Sequence, residues 1–391
     1  MKTCKYLIVG GGMAAHGAVK GIREVDPGAE IGLIGSEPHP PYRRPYVSKK
    51  LWAGKPEDSI WFHTEEEGVT MYLGREVVGL DPAAKRVVDD HGEQYAYEKL
   101  LLATGGTPRR PFGTGEIIYL RSLDDYRKLR ALTTAADRFA VIGGGFIGSE
   151  IAAALATIGK RVSMIFPENA ISDRMFPTDL AEFLNGYYRE RGVEVLAGET
   201  VIQIEPRGSE YLIRIGSGQQ ISADGVVAGV GIDPNVGLAQ SAGLTVDDGI
   251  PVDDMCRTGA PGIYCAGDVA NFYNPVLKKR IRVEHEDNAL TMGAYAGRAM
   301  AGGGEAYDYL PYFYSDLFDL GYEAVGELDP RLDTFADWKE PFREGVIYYL
   351  KDGQVRGVLL WNVWDRVSAA RELMAEPGPF AAGDLTGRLT S

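Results

Sequence analysis

The sequence predicts an α/β fold with two Rossmann-like dinucleotide-binding domains and a C-terminal α+β domain. Three observations point there. Tyr6-Leu-Ile-Val-Gly-Gly-Gly-Met-Ala-Ala15 is an apolar run that turns through glycines into helix formers. The same shape returns at Phe139-Ala-Val-Ile-Gly-Gly-Gly-Phe-Ile-Gly-Ser-Glu150. From residue 306 on, composition shifts to aromatics and alternating apolar residues, the pattern of paired strands. A short strand turning through glycine into a helix aims the first helical amides at a pyrophosphate. The first glycine of each set, Gly10 or Gly143, makes the turn; the second, Gly12 or Gly145, lets phosphates reach the backbone. The third position, Ala15 or Gly148, lets helix and strand pack closely. One such turn alone is compatible with no ligand at all, whereas two in one chain point to two bound dinucleotides.

At 391 residues the chain is too long for one core and fits two or three domains. The expected division is 1–109 with 232–306, then 110–231, then 307–391. A formal net charge of −14 argues against nucleic acid as a partner. The three cysteines, Cys4, Cys256 and Cys265, are scattered and odd in number; they make neither a disulfide framework nor a zinc site, and they suit a reducing compartment. No metal site is expected. No signal peptide or membrane span is visible, so the cytoplasm is the expected location.

In chain order, the first unit opens with a strand over 6–9, the glycine turn, a helix over about 13–24 and a strand over 31–34. About 20 residues past the glycines of such a unit an acid holds a ribose hydroxyl. Glu37 stands there with Ser36 beside it, the alternative being a solvated loop glutamate. Pro40-Pro-Tyr-Arg-Arg-Pro-Tyr-Val-Ser-Lys-Lys50 is a loop leading into a helix start. Within it Arg44, ordered by prolines, suits a phosphate, and Lys49 suits an electron-rich ring that gains negative charge on reduction; plain surface charge is the open alternative. Strands 77–80 and 86–89 bracket the Asp81-Pro82 turn as a small meander. Lys99-Leu-Leu-Leu-Ala-Thr-Gly-Gly-Thr-Pro-Arg109 is a buried strand stopping at Thr104-Gly105, where backbone can press against a cofactor.

The middle unit has its own second strand, 161–166, ending in Pro167-Glu168, again about 20 residues past the glycines. A carboxylate there accepts both ribose hydroxyls of NADH and repels a 2′-phosphate, so NADH is preferred over NADPH. Lys160 and Arg161 would soften that choice if turned inward. Strands 193–196, 201–204, 211–215 and 225–230 come next, and the chain returns to the first unit at Ile232-Asp-Pro-Asn235. Gly262-Ile-Tyr-Cys-Ala-Gly-Asp268 is a strand that presents a carboxylate beside Gly267, suited to accepting hydroxyl hydrogen bonds or to capping the next segment. Acids and asparagine in Val283-Glu-His-Glu-Asp-Asn288 are capping types for a small-residue helix running to 300. Strands 312–316, 322–326, 346–350 and 355–361, a hairpin turn at Asp352-Gly353 and a helix over 365–375 complete the chain.

Together these motifs resemble the FAD-dependent pyridine-nucleotide oxidoreductases. Within them the chain is most similar to the oxygenase-coupled ferredoxin reductases and the apoptosis-inducing-factor branch. That likeness rests on Arg44-Pro-Tyr-Val-Ser-Lys49, Leu120-Arg-Ser-Leu-Asp-Asp125, Arg282-Val-Glu-His-Glu-Asp-Asn288 and Tyr312-Phe-Tyr-Ser-Asp316. The resemblance implies FAD on Gly10, Gly12 and Ala15, with Ser36 and Glu37 at the adenosine ribose and Val77 at the adenine through its backbone. It places Arg44, Lys49 and Arg121 near the pyrophosphate and flavin, Thr104 and Gly105 against the cofactor, and the ribityl chain or pyrophosphate on Gly267 and Asp268. His285 and Glu286 fall by the flavin, as does Tyr314, where the relatives commonly carry tryptophan; an ordinary core tyrosine is the alternative. The nicotinamide dinucleotide is implied on Gly143, Gly145, Phe146, Ile147, Gly148, Glu168, Arg174 and Gly231, with Glu150 and Glu284 by its reactive ring. Lys49 and Glu150 are expected to form an ion pair beside the flavin, making Lys49, Glu150 and Glu284 the candidate catalytic set.

Relatives that reduce disulfides place a cysteine pair shortly after the first βαβ unit, and residues 40–50 here contain no cysteine. The expected activity is therefore electron transfer from NADH through FAD to a small redox protein, a ferredoxin first of all. An NADH oxidase or quinone-type reductase, and an NADH-sensing flavoprotein of the apoptosis-inducing-factor kind with slow turnover, are the alternatives. Lys278-Lys279-Arg280 with Arg282 is the densest basic run and the expected docking patch for such a carrier. A homodimer remains open.

Overall fold

The computed structural model describes residues 1–113 and 116–390. It has a mixed α/β architecture in two compact units. The first comprises Met1–Arg44, Glu57–Thr107 and Asp233–Pro311; the second comprises Pro45–Pro56, Pro108–Ile232 and Tyr312–Ser391.

The first unit is built on one sheet in the order Thr70–Leu73, Ile31–Gly35, Lys2–Val9, Gln94–Leu102, Arg86–Asp89, Val77–Asp81. Its centre is parallel, with Lys2–Val9 between Ile31–Gly35 and Gln94–Leu102, and the expected meander is an antiparallel extension of the same sheet. On its side away from Lys2–Val9, Gln94–Leu102 is shared between two neighbours. Its first half pairs with Arg86–Asp89, and Leu100, Leu101 and Leu102 pair with Ile263–Cys265 from far along the chain. Where they are buried, at residues 6–9, 31–35 and 100–102, the central strands read as apolar runs broken only by glycine. Helix Met13–Val25 covers the sheet and packs on helix Glu286–Met300 through glycines. A Cβ at Gly17 would stand 2.3 Å from the carbonyl oxygen of Leu290, at Gly21 2.0 Å from that of Ala294, and at Gly297 2.2 Å from that of Ala18. The two helix backbones therefore touch, and only hydrogen fits between them.

The second unit holds a parallel sheet in the order Val193–Ala197, Arg161–Phe166, Arg138–Ile142, Gly225–Ala228, with helix Phe146–Thr157 after Arg138–Ile142. An antiparallel sheet of Val201–Arg207, Glu210–Ile215 and Gln220–Ala223 is appended. Asp224 pins the starts of the central strands: its carboxylate accepts from the backbone of Asp137 and Arg138 and from both Nε and Nη2 of Arg138. The same unit contains a five-stranded antiparallel sheet, ordered Tyr312–Leu317, Leu320–Gly326, Gln354–Trp361, Glu344–Lys351, Asp333–Glu340, with helix Val367–Ala375 against it. Asp352 and Gly353 both have positive φ, 52° and 71°, as a two-residue hairpin turn requires.

Several elements stand outside the sequence expectations. Helix Leu123–Leu132 starts at a capping box of Ser122 and Asp125, helix Thr178–Glu190 starts behind Pro177, and Asp333–Glu340 is an edge strand. Residues 44–47 form one short 3-10 turn rather than the start of a longer helix.

Candidate functional site

The first unit carries a helix-opening cradle. Gly10 has φ +125°, and a Cβ there would sit 2.0 Å from the carbonyl oxygen of Ala103, so no side chain is admissible. Gly12 is the N-cap of helix Met13–Val25 and offers no side-chain cap, while a Cβ at Gly12 would meet nothing within 4 Å. A helix N-terminus with open space before it and no side chain to satisfy its first amides fits a pyrophosphate. Ala15 is fully buried, and Gly267 abuts Ala14, where an added Cβ would come within 2.8 Å.

Around this cradle the charged residues are paired. Arg44 Nη2 lies 2.6 Å from Glu37 Oε1, Tyr42 donates to Glu37 Oε2 at 2.7 Å, and Arg44 Nη1 donates to the Tyr42 hydroxyl at 3.0 Å. Burial opposes the charge of Arg44, yet Tyr42, Glu37 and Asp268 together raise its pKa above the ordinary value. Glu37 and Arg44, expected at separate parts of a ligand, are thus brought into one pair with Asp268 close by; Ser36 beside them is exposed. Thr104 and Gly105 are tied by Asn235, which takes the Thr104 hydroxyl on its carbonyl, donates its amide to the Thr104 carbonyl at 2.8 Å, and gives its own N–H to Gly105. Val77 opens an edge strand opposite Asp89. His285 is the N-cap of Glu286–Met300 and does not cap through its side chain; Glu286, in the first turn, lies 3.7 Å from Arg43. Glu284 pairs closely with Arg282, whose Nε also reaches Asp248 at 3.0 Å and whose Nη1 reaches the Asp268 carbonyl.

The second unit repeats the cradle. Gly143 has φ +114° against the Gly229 carbonyl, Gly148 would clash with the Gly143 carbonyl at 1.9 Å, and a Cβ at the N-cap Gly145 would meet nothing within 4 Å. Phe146 and Ile147 are the first helical residues, and Phe146 packs edge-on against Phe313. Glu168, past the end of Arg161–Phe166, is held by Arg174 Nη2 at 2.5 Å. The loop carrying Arg174 is anchored to the glycine turn, since the N–H of Ser172 donates to the Gly144 carbonyl. Gly231 has φ +95° and accepts from the backbone of Arg109. The backbone N–H of Arg121 joins the capping box at Asp125.

The same unit contains a buried charge pair. Lys49 Nζ lies 2.7 Å from Glu150 Oε1, with side chains 9% and 2% exposed. The Lys49 ammonium also stands 5.2 Å from the centre of the Tyr314 ring. Ser48 and Ser315, which sequence reasoning did not single out, donate to the two oxygens of Glu150, each at 2.6 Å. Their only sequence signal was membership of the motifs that carry Lys49 and Tyr314.

The basic run is partly consumed in the structure. It lies on the hairpin of Ala270–Asn274 and Lys279–Ile281, where Arg280 donates to Asn271 and the Val252 carbonyl while Arg282 is paired as above. That engages Arg280 and Arg282 of the expected patch with acceptors of their own. Among the described residues no helix is long and apolar enough to cross a membrane.

Two open glycine cradles, each at the start of a parallel-sheet helix and each succeeded by a carboxylate after the second strand, define an oxidoreductase that handles two dinucleotides. The chain belongs to the pyridine nucleotide-disulphide oxidoreductase family, whose model matches residues 4–293; residues 336–376 match the C-terminal domain of mitochondrion-associated apoptosis-inducing factor. It is a ferredoxin reductase-like flavoprotein oxidoreductase that uses FAD and a nicotinamide dinucleotide. It is 34% identical to monodehydroascorbate reductase 3 of Arabidopsis thaliana, over 92% of this chain and 89% of that one. It is 32% identical to the ferredoxin reductase subunit of a 5,5'-dehydrodivanillate O-demethylase from Sphingobium, over 89% and 88%. In structure it resembles the reductase in a covalent putidaredoxin reductase–putidaredoxin complex, with a TM-score of 0.91 and 27% identity, over 98% of this chain and 95% of that one.

Proposed function

We propose that the protein carries electrons from NADH through FAD to a small iron–sulfur protein of the ferredoxin type. The observation that carries this lies just after the first βαβ unit: no cysteine pair, but a lysine, Lys49, buried against Glu150. All three cysteines are free and buried, so no thiol is offered to relay electrons, and a reducing cytoplasm suits them. The likeness to a reductase solved in a covalent complex with putidaredoxin supports the choice of acceptor.

We assign FAD to 1–109 with 232–306, the nicotinamide dinucleotide to 110–231, and an α+β domain to 307–391, the last two lying within one compact unit. Bound FAD would accept a hydride and release electrons singly, which is the cofactor's own chemistry. The protein's residues supply placement and charge. The amides after Gly12 and Gly145 hold pyrophosphates, and Glu37 and Glu168 accept ribose hydroxyls. Arg44 and Asp268 bracket the first nucleotide's polar chain, with Ser36, Val77, Thr104, Gly105, Arg121, His285, Glu286 and Tyr314 completing its surroundings. Lys49, held by Glu150, is the fixed cation that favours negative charge on a reduced ring, and Glu284 orients the nicotinamide.

A second reading has an observation of its own: 34% identity with a monodehydroascorbate reductase favours a small organic radical as the one-electron acceptor. Rapid mixing with NADH, and then with a panel of ferredoxins, monodehydroascorbate, quinones and oxygen, decides between them. Fast reoxidation by a ferredoxin is expected. Fast turnover with monodehydroascorbate alone, oxygen consumption, or a persistent long-wavelength band with slow turnover would each replace that assignment.

A further inference from the structure

We propose that Tyr349, from the C-terminal sheet, is a positioning residue for nucleotide choice: by fixing the loop 167–177 it sets where Arg174 stands over Glu168. This rests on the placement of a ribose at Glu168 proposed above. Every residue concerned lies in the second unit.

Glu168 and Arg174 are held by different means. Glu168 is fixed by its own sheet: its carbonyl accepts from the N–H of Gly198 at 2.8 Å and the Phe166 carbonyl accepts from that of Glu199 at 3.0 Å, both just past the strand Val193–Ala197. Arg174 has no strand beside it. Its side chain is 82% exposed, and an ion pair so open to water holds itself weakly. What keeps the guanidinium within reach of Glu168 is therefore the course of the backbone from Asn169 to Phe176.

That course is pinned from three directions. Asn185, in helix Thr178–Glu190, accepts from the N–H of Ile171 and donates to the Asn169 carbonyl. Ser172 has φ +58°, a left-handed conformation that a residue other than glycine keeps only where its surroundings impose it. Its N–H donates to the Gly144 carbonyl, and its own carbonyl accepts from the N–H groups of Met175 and Phe176. The third direction is the C-terminal sheet. The Tyr349 hydroxyl donates to the Met175 carbonyl at 2.7 Å, one residue past Arg174. Phe176 is fully buried and meets the rings of Tyr322 and Trp361 edge-on, at 5.2 and 5.6 Å. Strand register puts these three aromatics on one face: Tyr322 stands opposite Trp361, Trp361 opposite Gly345, and Tyr349 follows Gly345 and Ile347 along that face. The rings hold Phe176 by shape, and the Tyr349 hydroxyl adds a directional tie next to the arginine.

Tyr349→Phe removes that hydroxyl and keeps the ring. With Arg174 competing for Glu168, loosening the arginine should act as a weaker Arg174→Ala. Titration of oxidised, FAD-replete protein with NAD⁺ and NADP⁺ should show the affinity ratio moving about threefold toward NAD⁺, within what one hydrogen bond supports. In turnover the change should fall on KM and not on kcat. In an Arg174→Ala background Tyr349→Phe should leave the ratio where it is, since the residue it positions is gone. Tyr348→Phe, which alters a ring stacked on Phe335 from the next position of the same strand, should leave the ratio at its wild-type value. A readout free of nicotinamide nucleotide is hydrogen exchange: the Met175 and Phe176 amides, bonded to Ser172, should exchange several-fold faster in Tyr349→Phe.

A wild-type ratio in Tyr349→Phe, with Arg174→Ala shifting it, would overturn the positioning role. So would a shift that persists in full in the Arg174→Ala background, which would mark a general loosening of the fold. If neither single variant moves the ratio while the two amides exchange faster, the ribose assignment at Glu168 falls, and the effect on nucleotide choice with it, while the anchor between the C-terminal sheet and the loop stands.

Discussion

Glu168 and Arg174 form a charge pair where we propose that a ribose of the nicotinamide dinucleotide is held, and each suits a different ligand. The carboxylate accepts ribose hydroxyls, while the guanidinium suits a 2′-phosphate. In the structure they satisfy each other, with Glu168 largely covered and Arg174 82% exposed at its side chain. On the proposed assignment, Arg174 competes with NADH for Glu168. Arg174→Ala should widen the preference for NADH over NADPH, and Glu168→Ala should narrow it, each through the Michaelis constant and by about tenfold, or about 1.4 kcal/mol. Affinities for NAD⁺ and NADP⁺ measured by titration check both. A narrower preference in Arg174→Ala would show that the arginine assists NADH instead. The buried pair Lys49–Glu150 is a different case, because isolated buried ion pairs add little stability and are costly to break singly. Its two serine donors make it tolerable.

At the scale of elements, close packing and strand pinning carry the fold. The face between Met13–Val25 and Glu286–Met300 has no room for a Cβ at Gly21 or Gly297. Gly21→Val or Gly297→Val should destabilise by about 1–3 kcal/mol in urea unfolding, whereas Gly28→Ala, where a Cβ meets nothing within 4 Å, should be near neutral. Asp224 contributes a pH dependence of stability. Hydrogen bonds from Arg138 hold its carboxyl down to about 2. A depressed folded-state value means stability that is present above the ordinary carboxylate range near 4 and is lost as pH falls through about 2. Melting temperatures across that window should fall less steeply for Asp224→Asn than for the wild type. These elements differ in how visible they are in sequence. The glycine turns and central strands are local signals, since a positive φ or an unbroken apolar run needs no partner to be recognised. Helix Leu123–Leu132 is also local, with its Ser122-x-x-Asp125 box, but its mixed charge hides the apolar face. The clamp on Glu150 is not local at all: its serines lie 102 and 165 residues away, so no window of sequence contains it. The pairing of Arg44 with Glu37 was equally hidden, because each residue alone suggests a ligand rather than the other.

Over the whole molecule the charge balance is −14, and an acidic carrier would be repelled by a uniformly negative surface. Lys278 and Lys279, on the hairpin of Ala270–Asn274 and Lys279–Ile281, are the proposed exception. Replacing both lysines by glutamate should lower carrier-dependent turnover several-fold at low salt and leave ferricyanide reduction unchanged, with the effect fading as the Debye length drops to about 8 Å. Unaltered low-salt kinetics would move docking elsewhere.

The strand Gln94–Leu102 also has a history. Its second half waits for Ile263–Cys265, and the glycine face of Met13–Val25 waits for Glu286–Met300, both of which leave the ribosome only after residues 108–232 have been made. At translation rates of about 5–20 residues per second, that is a delay on the order of ten seconds. During it the nascent first unit shows the edge of Leu100, Leu101 and Leu102 and an uncovered helix groove, so this chain's need for a chaperone should be greatest while its middle is being synthesised, and should end when residue 300 emerges.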